Sequence, residues 1–142
     1  MEADKAFKIL MENTRFFQSF PECERLEILK CCTSLSVNDG KLIFQEGTNG
    51  DDFFILINGS VRIIKSGKTV DVLRAGECFG EMGALSGQVR SATAEASGDL
   101  VLLVINQTKV EELNPETRAT LYKNILMIIS DRLRERLEKA AR

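Results

Sequence analysis

The sequence has no histidine and no tryptophan among its 142 residues. The missing histidines exclude histidine-based catalytic triads, histidine-ligated zinc and histidine proton shuttles. No apolar run approaches the roughly 18 residues that a membrane-spanning helix needs, so we expect no membrane segment. The net charge is −2, from 19 basic and 21 acidic side chains. This balance argues against a general nucleic-acid binder, because such proteins carry a strong excess of positive charge.

The spacing of the cysteines is not that of a metal site. The four cysteines form no CxxC pair, and two of them, Cys31 and Cys32, are adjacent. We interpret all four, the others being Cys23 and Cys78, as reduced thiols that act as small core residues. Reduced thiols suit a reducing compartment, and the amino-terminal segment carries acids where a secretory signal needs basic residues. The sequence therefore predicts a cytoplasmic location.

Glycine is absent from both ends of the chain. All ten glycines lie between Gly40 and Gly98. Because glycine marks tight turns and close approaches, this middle part predicts short strands, with Asn58-Gly59 and Ser66-Gly67 as turns between them. Such a pattern is typical of an antiparallel sandwich or small barrel. The strand candidates are residues 41–45, 53–57, 61–65, 69–73, 91–96 and 100–105.

The glycine-free ends predict helices. Ser19 to Glu22 fits a capping box with Pro21 in the first turn, which predicts a helix over about 21–32. Another helix is expected near 4–11. Near the other end, Asn114 is a candidate cap and Pro115 the first residue of a helix that extends towards 142. This helix carries an apolar stripe that would pack on the strands or on a second copy of the chain. The stripe consists of Leu126, Ile129, Leu133 and Leu137.

The segment most informative about function interrupts the strands at residues 79–93. Free backbone N–H groups at a single helical turn near 82–85 would form an anion site. Gly80 and Gly83 have no side chain and would let a ligand approach the backbone of this site closely. Arg90 offers forked donors to a phosphate, and Glu81 offers an acceptor to a sugar hydroxyl. The alternative is a surface turn in which Arg90 and Glu81 form an ion pair of small effect.

This segment resembles the phosphate-binding cassette of the cyclic-nucleotide-binding domain family. The resemblance lies in Phe79-Gly80-Glu81 and, nine residues after the glutamate, in Arg90-Ser91-Ala92. Val89 departs from the proline usual before the arginine, and Gly83 replaces a more usual alanine or serine. Further matching positions are Gly47, the Gly50-Asp51 turn, Gly59 and Gly76, and the resemblance covers residues 16–137.

The resemblance implies one cyclic-nucleotide-binding domain over residues 1–142. Its fold would be mainly β with flanking helices: an eight-stranded antiparallel jelly-roll β-roll, amino-terminal helices and a long carboxy-terminal helix. The helical segment would cover 1–36, the β-roll 37–106 with its cassette at 79–92, and the last helices 107–142.

The resemblance also implies roles for individual residues. Arg90 would bind the equatorial exocyclic oxygen of a cyclic phosphate, and Glu81 would accept a hydrogen bond from the ribose 2′-hydroxyl. Ser91 would support the phosphate or approach the base, and Ile63 would lie under the purine. The implied ligand-binding set is Ile63, Phe79, Gly80, Glu81, Met82, Gly83, Ala84, Arg90, Ser91 and Ala92, with no catalytic residue, metal or cofactor beside the cyclic nucleotide.

Two functions of different classes follow. The first is a regulatory, non-enzymatic module that binds cyclic AMP in preference to cyclic GMP. The resemblance implies this preference, because Arg90-Ser91-Ala92 is more similar to the Arg-Ser-Ala of the catabolite activator protein than to the Arg-Thr-Ala common in family members that bind cyclic GMP. The module would signal through its carboxy-terminal helix to a second copy or an effector protein, and we expect no DNA-binding domain. The second is a β-roll that binds no nucleotide and serves in dimerisation or docking. The presence of Gly80, Glu81 and Arg90 favours the first function. A β-roll that no longer binds a nucleotide would be expected to lose the arginine first, because a buried arginine without a partner is costly.

Overall fold

A computed structural model describes residues 15–18, 20–81, 87 and 89–141 of the chain. Within these residues, two helices precede the strands and two follow them. The helices are α1 (Arg15–Gln18), α2 (Glu22–Leu29), α3 (Gln107–Glu111) and α4 (Pro115–Ala140). The strands are β1 (Cys32–Val37), β2 (Leu42–Phe44), β3 (Asp52–Lys65), β4 (Lys68–Arg74), β5 (Cys78–Phe79) and β6 (Thr93–Asn106).

The sheet is antiparallel and is organised around two long strands. Its order is β1-β6-β3-β4, while β2 also pairs with β6 and β5 with β3. The first half of β3 pairs with the second half of β6, and the second half of β3 with the first half of β6. The mainly β architecture with flanking helices and a long last helix is the predicted one.

The predicted hairpin at Asn58-Gly59 is wrong, because β3 runs through both residues. The strand register shifts there, and Gly59 has a φ of +92°. A Cβ atom on Gly59 would lie 2.6 Å from the Cβ of Leu100, so the glycine allows a close approach between strands. Residues 91–96 and 100–105 likewise belong largely to one strand, β6, which passes through Gly98 at a φ of +80°. Divided at these two bends, the six strands of the described part give eight segments.

The predicted turn at Ser66-Gly67 is confirmed. Both residues have positive φ, 51° and 79°, as a two-residue hairpin turn requires. The turn joins β3 to β4, which pair directly from Lys65 opposite Lys68. The hairpin places β4 at one edge of the sheet, beside the carboxy-terminal helix.

The amino-terminal prediction is partly wrong. Helix α2 begins after Pro21, whose side chain makes no capping hydrogen bond, and it ends at Leu29. Cys32 opens strand β1 instead of continuing the helix, because residues 32–37 pair with residues 100–105 of β6. Ser19 and the helix expected near 4–11 lie outside the described residues.

The capping prediction for the last helix is confirmed. Its apolar stripe does not pack on the strands, and packing of the stripe on a second copy of the chain stays a prediction. The side chain of Asn114 accepts a hydrogen bond from the Thr117 N–H at 2.9 Å, and Pro115 follows as the first helical residue. Helix α4 buries a different face, made of Leu121, Ile125 and Ile128. The predicted stripe is exposed at Leu126, Leu133 and Leu137, and only Ile129 packs on the core.

The core has two parts. One lies between the strands and the helices, where the ring cluster of Phe16, Phe17 and Phe20 packs with α4. The buried Asn124 of α4 donates its side-chain N–H to the Phe16 carbonyl at 2.9 Å. The other part lies among the strands and includes Phe54. In the described part of the chain, no helix combines the length and hydropathy that crossing a membrane requires.

The cysteines are free thiols, and the prediction of a core position is wrong for Cys23, which is exposed. Cys31 and Cys78 are buried, and burial raises the pKa of Cys78 to about 12. Burial likewise raises the pKa of Cys32. Within the described ranges, no three cysteine, aspartate or glutamate side chains form a group that could hold a metal ion.

Candidate ligand-binding site

Arg90 lies just before β6, and its guanidinium is held inside the protein. Only 5% of the residue is exposed. Its Nη1 donates to the Gly80 carbonyl at 2.7 Å and its Nη2 to the Asp52 carbonyl at 2.6 Å. The guanidinium carbon lies 4.5 Å from the centroid of the Phe44 ring. The buried Nε has no hydrogen-bond partner among the described residues. Arg90 is therefore fixed in place with donor capacity left for a ligand.

The backbone around Arg90 explains this placement. The Gly47 N–H donates to the Arg90 carbonyl, and the Arg90 N–H donates to the Thr48 carbonyl, each at 2.8 Å. A Cβ on Gly50 would lie 2.6 Å from Nη2 of Arg90, and a Cβ on Gly80 would lie 2.9 Å from Nη1. Both glycines thus leave the space that the guanidinium occupies.

Glu81 is the second buried charged residue of this region, with 7% of its surface exposed. Its Oε1 lies 4.0 Å from Nη1 of Arg132 in α4, and its buried Oε2 has no hydrogen-bond partner among the described residues. Burial raises the pKa of Glu81, while a backbone hydrogen bond, Arg132 and Arg90 act in the opposite direction. Glu81 therefore presents an open acceptor oxygen in a poorly solvated place.

These two residues line one cavity of about 170 Å³. Seven predicted site residues meet there: Ile63, Phe79, Gly80, Glu81, Arg90, Ser91 and Ala92. Met82, Gly83 and Ala84, with the helical turn expected near 82–85, lie outside the described residues.

The cavity has four further lining residues that the sequence did not predict, namely Phe44, Asp71, Leu73 and Arg132. The alternation of β4 could have revealed two of them, because Asp71 and Leu73 share one face of that strand. Arg132 has no local signal, since it reaches the cavity from the distant helix α4.

A larger groove of about 580 Å³ adjoins the cavity, between the β4 edge and α4. Asp71 and Arg132 line both spaces. Nη2 of Arg132 donates to the Cys78 carbonyl, and its Nε lies 3.3 Å from Oε1 of Glu77. Nη2 of Arg136 donates to Oδ2 of Asp71. Two arginines of α4 therefore connect that helix to the strands around the cavity.

A family model, that of the cyclic nucleotide-binding domain, matches residues 34–114, more than half of the chain. The chain belongs to the cyclic nucleotide-binding domain family. The matched region contains β2 to β6 and with them the whole described cavity lining except Arg132. The family expected from the cassette is thus confirmed.

The domain is similar to proteins of several organisms. It is 29% identical over 117 residues, 82% of this chain and 12% of the relative, to a cGMP-dependent protein kinase of Eimeria tenella. It superposes on the cAMP-bound protein PfPKA-R with a TM-score of 0.73 and 27% identity, covering 89% of this chain and 45% of the other. A cyclic nucleotide-binding domain of Methylobacillus flagellatus shares the fold, with a TM-score of 0.84 at 24% identity and coverage of 96% and 83%.

The domain spans 12–17% of the length of the first curated relatives that it matches. The part that it shares with these kinases is the nucleotide-binding region and not the catalytic one. The domain is therefore a regulatory cyclic nucleotide-binding module, mainly β with flanking helices.

Proposed function

We propose that the domain binds cyclic AMP in preference to cyclic GMP, with Arg90 on the cyclic phosphate and Glu81 on the ribose 2′-hydroxyl. One observation carries this assignment: a buried guanidinium and a buried carboxylate, each with an unpartnered polar atom, line the same cavity. Phe79, Gly80 and Ala92 would line the sugar and phosphate, and Ile63 the purine.

The charge balance supports an anionic ligand. Burial lowers the pKa of Arg90, whereas Asp52, Asp51 and Glu81 act to raise it. A cyclic phosphate brings one negative charge, and forked hydrogen bonds from a guanidinium match its oxygens. The ligand would therefore stabilise the charged arginine in its poorly solvated position.

The preference for cyclic AMP rests on Ser91, which follows the arginine and lines the cavity. Relatives of both kinds exist: the Eimeria tenella relative is a cGMP-dependent kinase, and PfPKA-R is a cAMP-bound structure. Isothermal titration with cyclic AMP, cyclic GMP and 5′-AMP tests the proposal, using protein shown to be free of co-purified nucleotide. We expect tight binding of cyclic AMP, weaker binding of cyclic GMP and none of 5′-AMP. Absence of heat with all three nucleotides would refute it.

We infer that binding is transmitted through α4. Arg132 lies near Glu81 and donates a hydrogen bond to the Cys78 carbonyl. A ribose hydroxyl that donates to Glu81 must therefore change the surroundings of this arginine. The resulting shift of α4 would then reach an effector protein or a second copy. The ligand can drive this shift only by its difference in affinity for the two positions of the helix.

Arg132→Ala should uncouple α4 from the cavity. We expect cyclic AMP to change the amide hydrogen exchange of residues 131–137 in the unaltered domain and much less in the variant. Arg134→Ala is the matched control, because Arg134 is exposed and pairs with Asp131 of its own helix. An equal ligand-induced change in all three proteins would show that Arg132 does not carry the signal.

Glu81→Gln should weaken cyclic AMP binding by about tenfold, because a hydrogen bond to a charged acceptor contributes about 1–2 kcal/mol more than one to an amide. A 2′-deoxy analogue should lose much affinity for the unaltered domain and little for the variant. If both proteins discriminate equally against the analogue, Glu81 does not hold the ribose.

Glu81 should also leave a signature in the pH dependence of stability without ligand. Burial raises the pKa of Glu81 above the ordinary 4.5. In the pH window between the ordinary pKa and the raised pKa, the folded domain therefore keeps a proton that the unfolded chain has released. The contribution of this group is therefore fully present below about pH 4.5 and is lost as the pH rises through the raised pKa. Denaturant unfolding across this window should show a downward slope that is smaller in Glu81→Gln.

A second function is favoured by one observation, the exposed apolar side chains of α4. Leu126, Leu133 and Leu137 are each between 57% and 63% exposed. Such side chains suit a helix that docks on another helix or protein, even without a nucleotide. If titration shows no nucleotide binding while sedimentation shows a dimer that Leu133→Glu dissociates, this function replaces the first.

A further inference from the structure

An asparagine–glycine pair lies in the loop beside the buried arginine. Asn49 is exposed and Gly50 is partly buried, and neither belongs to a helix or strand. Among the described residues, neither the Gly50 N–H nor the Asn49 side-chain amide forms a hydrogen bond. Glycine also places no Cβ next to the side chain that precedes it, so the Gly50 nitrogen can reach Cγ of Asn49.

This arrangement permits a spontaneous cyclisation of Asn49. The Gly50 nitrogen loses its proton to solvent base and attacks Cγ of Asn49, so that a new C–N bond forms while the Cγ–Nδ2 bond breaks. The departing nitrogen takes up a proton and leaves as ammonia, and the product is a five-membered succinimide. Water then opens the ring at one of its two carbonyls. One opening yields aspartate, and the other yields isoaspartate, in which the backbone runs through the former side chain.

The other asparagine–glycine pair of the chain, Asn58-Gly59, is held in place by the sheet. Oδ1 of Asn58 accepts a hydrogen bond from the Val101 N–H at 3.0 Å, and β3 pairs with β6 on both sides of the asparagine. Gly59 lies so close to Leu100 that a Cβ would come within 2.6 Å of the leucine Cβ. Asn58 cannot turn towards the following nitrogen without breaking these contacts, so the same dipeptide should react slowly in the strand.

The loop around Asn49 is fixed at both ends by contacts with Arg90. The Thr48 carbonyl accepts the Arg90 N–H at 2.8 Å, and the Asp52 carbonyl accepts Nη2 of Arg90 at 2.6 Å. Between these two anchors, a Cβ on Gly50 would lie 2.6 Å from the same Nη2. An isoaspartate adds one backbone atom that residues 49–51 must accommodate, and Gly50 has no free space on the side of the guanidinium. The anchors of Arg90 must therefore shift.

We propose that Asn49-Gly50 is a site of spontaneous deamidation, and that the reaction loosens Arg90 and lowers the affinity for cyclic AMP; the effect on affinity rests on the proposed cyclic nucleotide site. The aspartate product adds a negative charge close to Asp51 in the sequence. It should weaken binding of the anionic ligand about two- to fivefold, the effect of one exposed charge. The isoaspartate product should weaken binding about tenfold or more, because the loss of one hydrogen bond of a charged group has an effect of that size.

Ageing the purified, ligand-free domain at mildly alkaline pH tests the modification, because base promotes loss of the amide proton. Trypsin releases residues 42–62 as one peptide, since Lys41 precedes it and Arg62 ends it, so both pairs are compared in the same fragment. Over days, we expect mass spectrometry to show the replacement of NH by O at Asn49 and little at Asn58. In denaturant both pairs should react at similar rates. If Asn49 of the folded domain reacts no faster than Asn58, the site is overturned.

Titration with cyclic AMP measures the consequence for the ligand. Ion exchange separates the acidic products of the aged domain from the unreacted form, and these products should bind more weakly than Asn49→Asp because they contain isoaspartate. Asn49→Gln is the matched control: it keeps the amide, would have to form a six-membered ring, and should retain its affinity through ageing.

The outcomes separate this inference from the function on which it depends. If the acidic products bind cyclic AMP as tightly as aged Asn49→Gln, the effect on affinity is overturned while the deamidation site stands. If the freshly prepared domain binds no cyclic nucleotide, the proposed function fails and the effect on affinity fails with it. The peptide map still decides the deamidation site in that case, because it needs no ligand.

Discussion

Arg90→Ala should bind cyclic AMP at least about 100-fold more weakly than the unaltered domain. The guanidinium offers two or more charged hydrogen bonds to the phosphate, each contributing about 1.5–3 kcal/mol. In the ligand-free protein the change also removes the donors to the Gly80 and Asp52 carbonyls, so the free energy of unfolding should fall by about 1–3 kcal/mol for each carbonyl left buried without a partner. Titration and denaturant unfolding measure the two effects.

Two variants isolate the role of the guanidinium. Arg90→Lys keeps the positive charge but loses the forked donors, and it should recover only part of the affinity. Arg62→Ala removes an arginine that pairs with Glu95 elsewhere on the sheet, and it should bind cyclic AMP normally. If Arg90→Ala binds cyclic AMP with an affinity close to that of the unaltered domain, Arg90 does not bind the phosphate.

Gly80→Ala should destabilise the domain by about 2–5 kcal/mol and weaken ligand binding as well. Gly80 has a φ of +79°, which costs an alanine about 1–2 kcal/mol. Its new Cβ would also lie 2.9 Å from Nη1 of Arg90 and 3.2 Å from the rings of Phe44 and Phe54, and such crowding costs about 1–3 kcal/mol. The arginine must move away from the phosphate position, and the affinity for cyclic AMP should fall with it.

The hairpin glycine Gly67 provides a matched control. It has the same φ of +79°, but a Cβ there meets no atom within 4 Å. Gly67→Ala should therefore show the conformational cost alone, about 1–2 kcal/mol, and bind cyclic AMP normally. If the two alanine variants lose the same stability and bind alike, the crowding around Arg90 has no effect.

The parts of the fold that the sequence predicted are those with a local cause. The Ser66-Gly67 turn and the Asn114 cap depend on residues within one turn of each other, and both are confirmed. The Asn58-Gly59 pair carries an equally strong local signal for a hairpin, yet β3 continues through it. Pairing with β6 on both sides of the bend stabilises the continuous strand, and no local pattern contains that information.

The same distinction applies to the site. The cassette motif predicted Gly80, Glu81 and Arg90 because they are close in sequence. Arg132 arrives from a helix more than fifty residues later, so only the packing of α4 on the strands brings it within 4.0 Å of Glu81. That packing also decides which face of α4 meets the strands, since the helix buries the face of Ile125 and leaves Leu133 exposed.

The contact between Asn124 and Phe16 has a consequence for the order in which the domain folds during synthesis. The aromatic cluster around Phe16 shares its core with Leu121 and Ile125 of α4, which the ribosome makes more than a hundred residues later. Among the residues that the structure describes, the cluster within the strands, around Phe54, includes none after Leu102 except the partly buried Val104. A nascent chain can therefore form the sheet side of its ligand cavity before its helical core, and the cavity is completed only when α4 brings Arg132 to it.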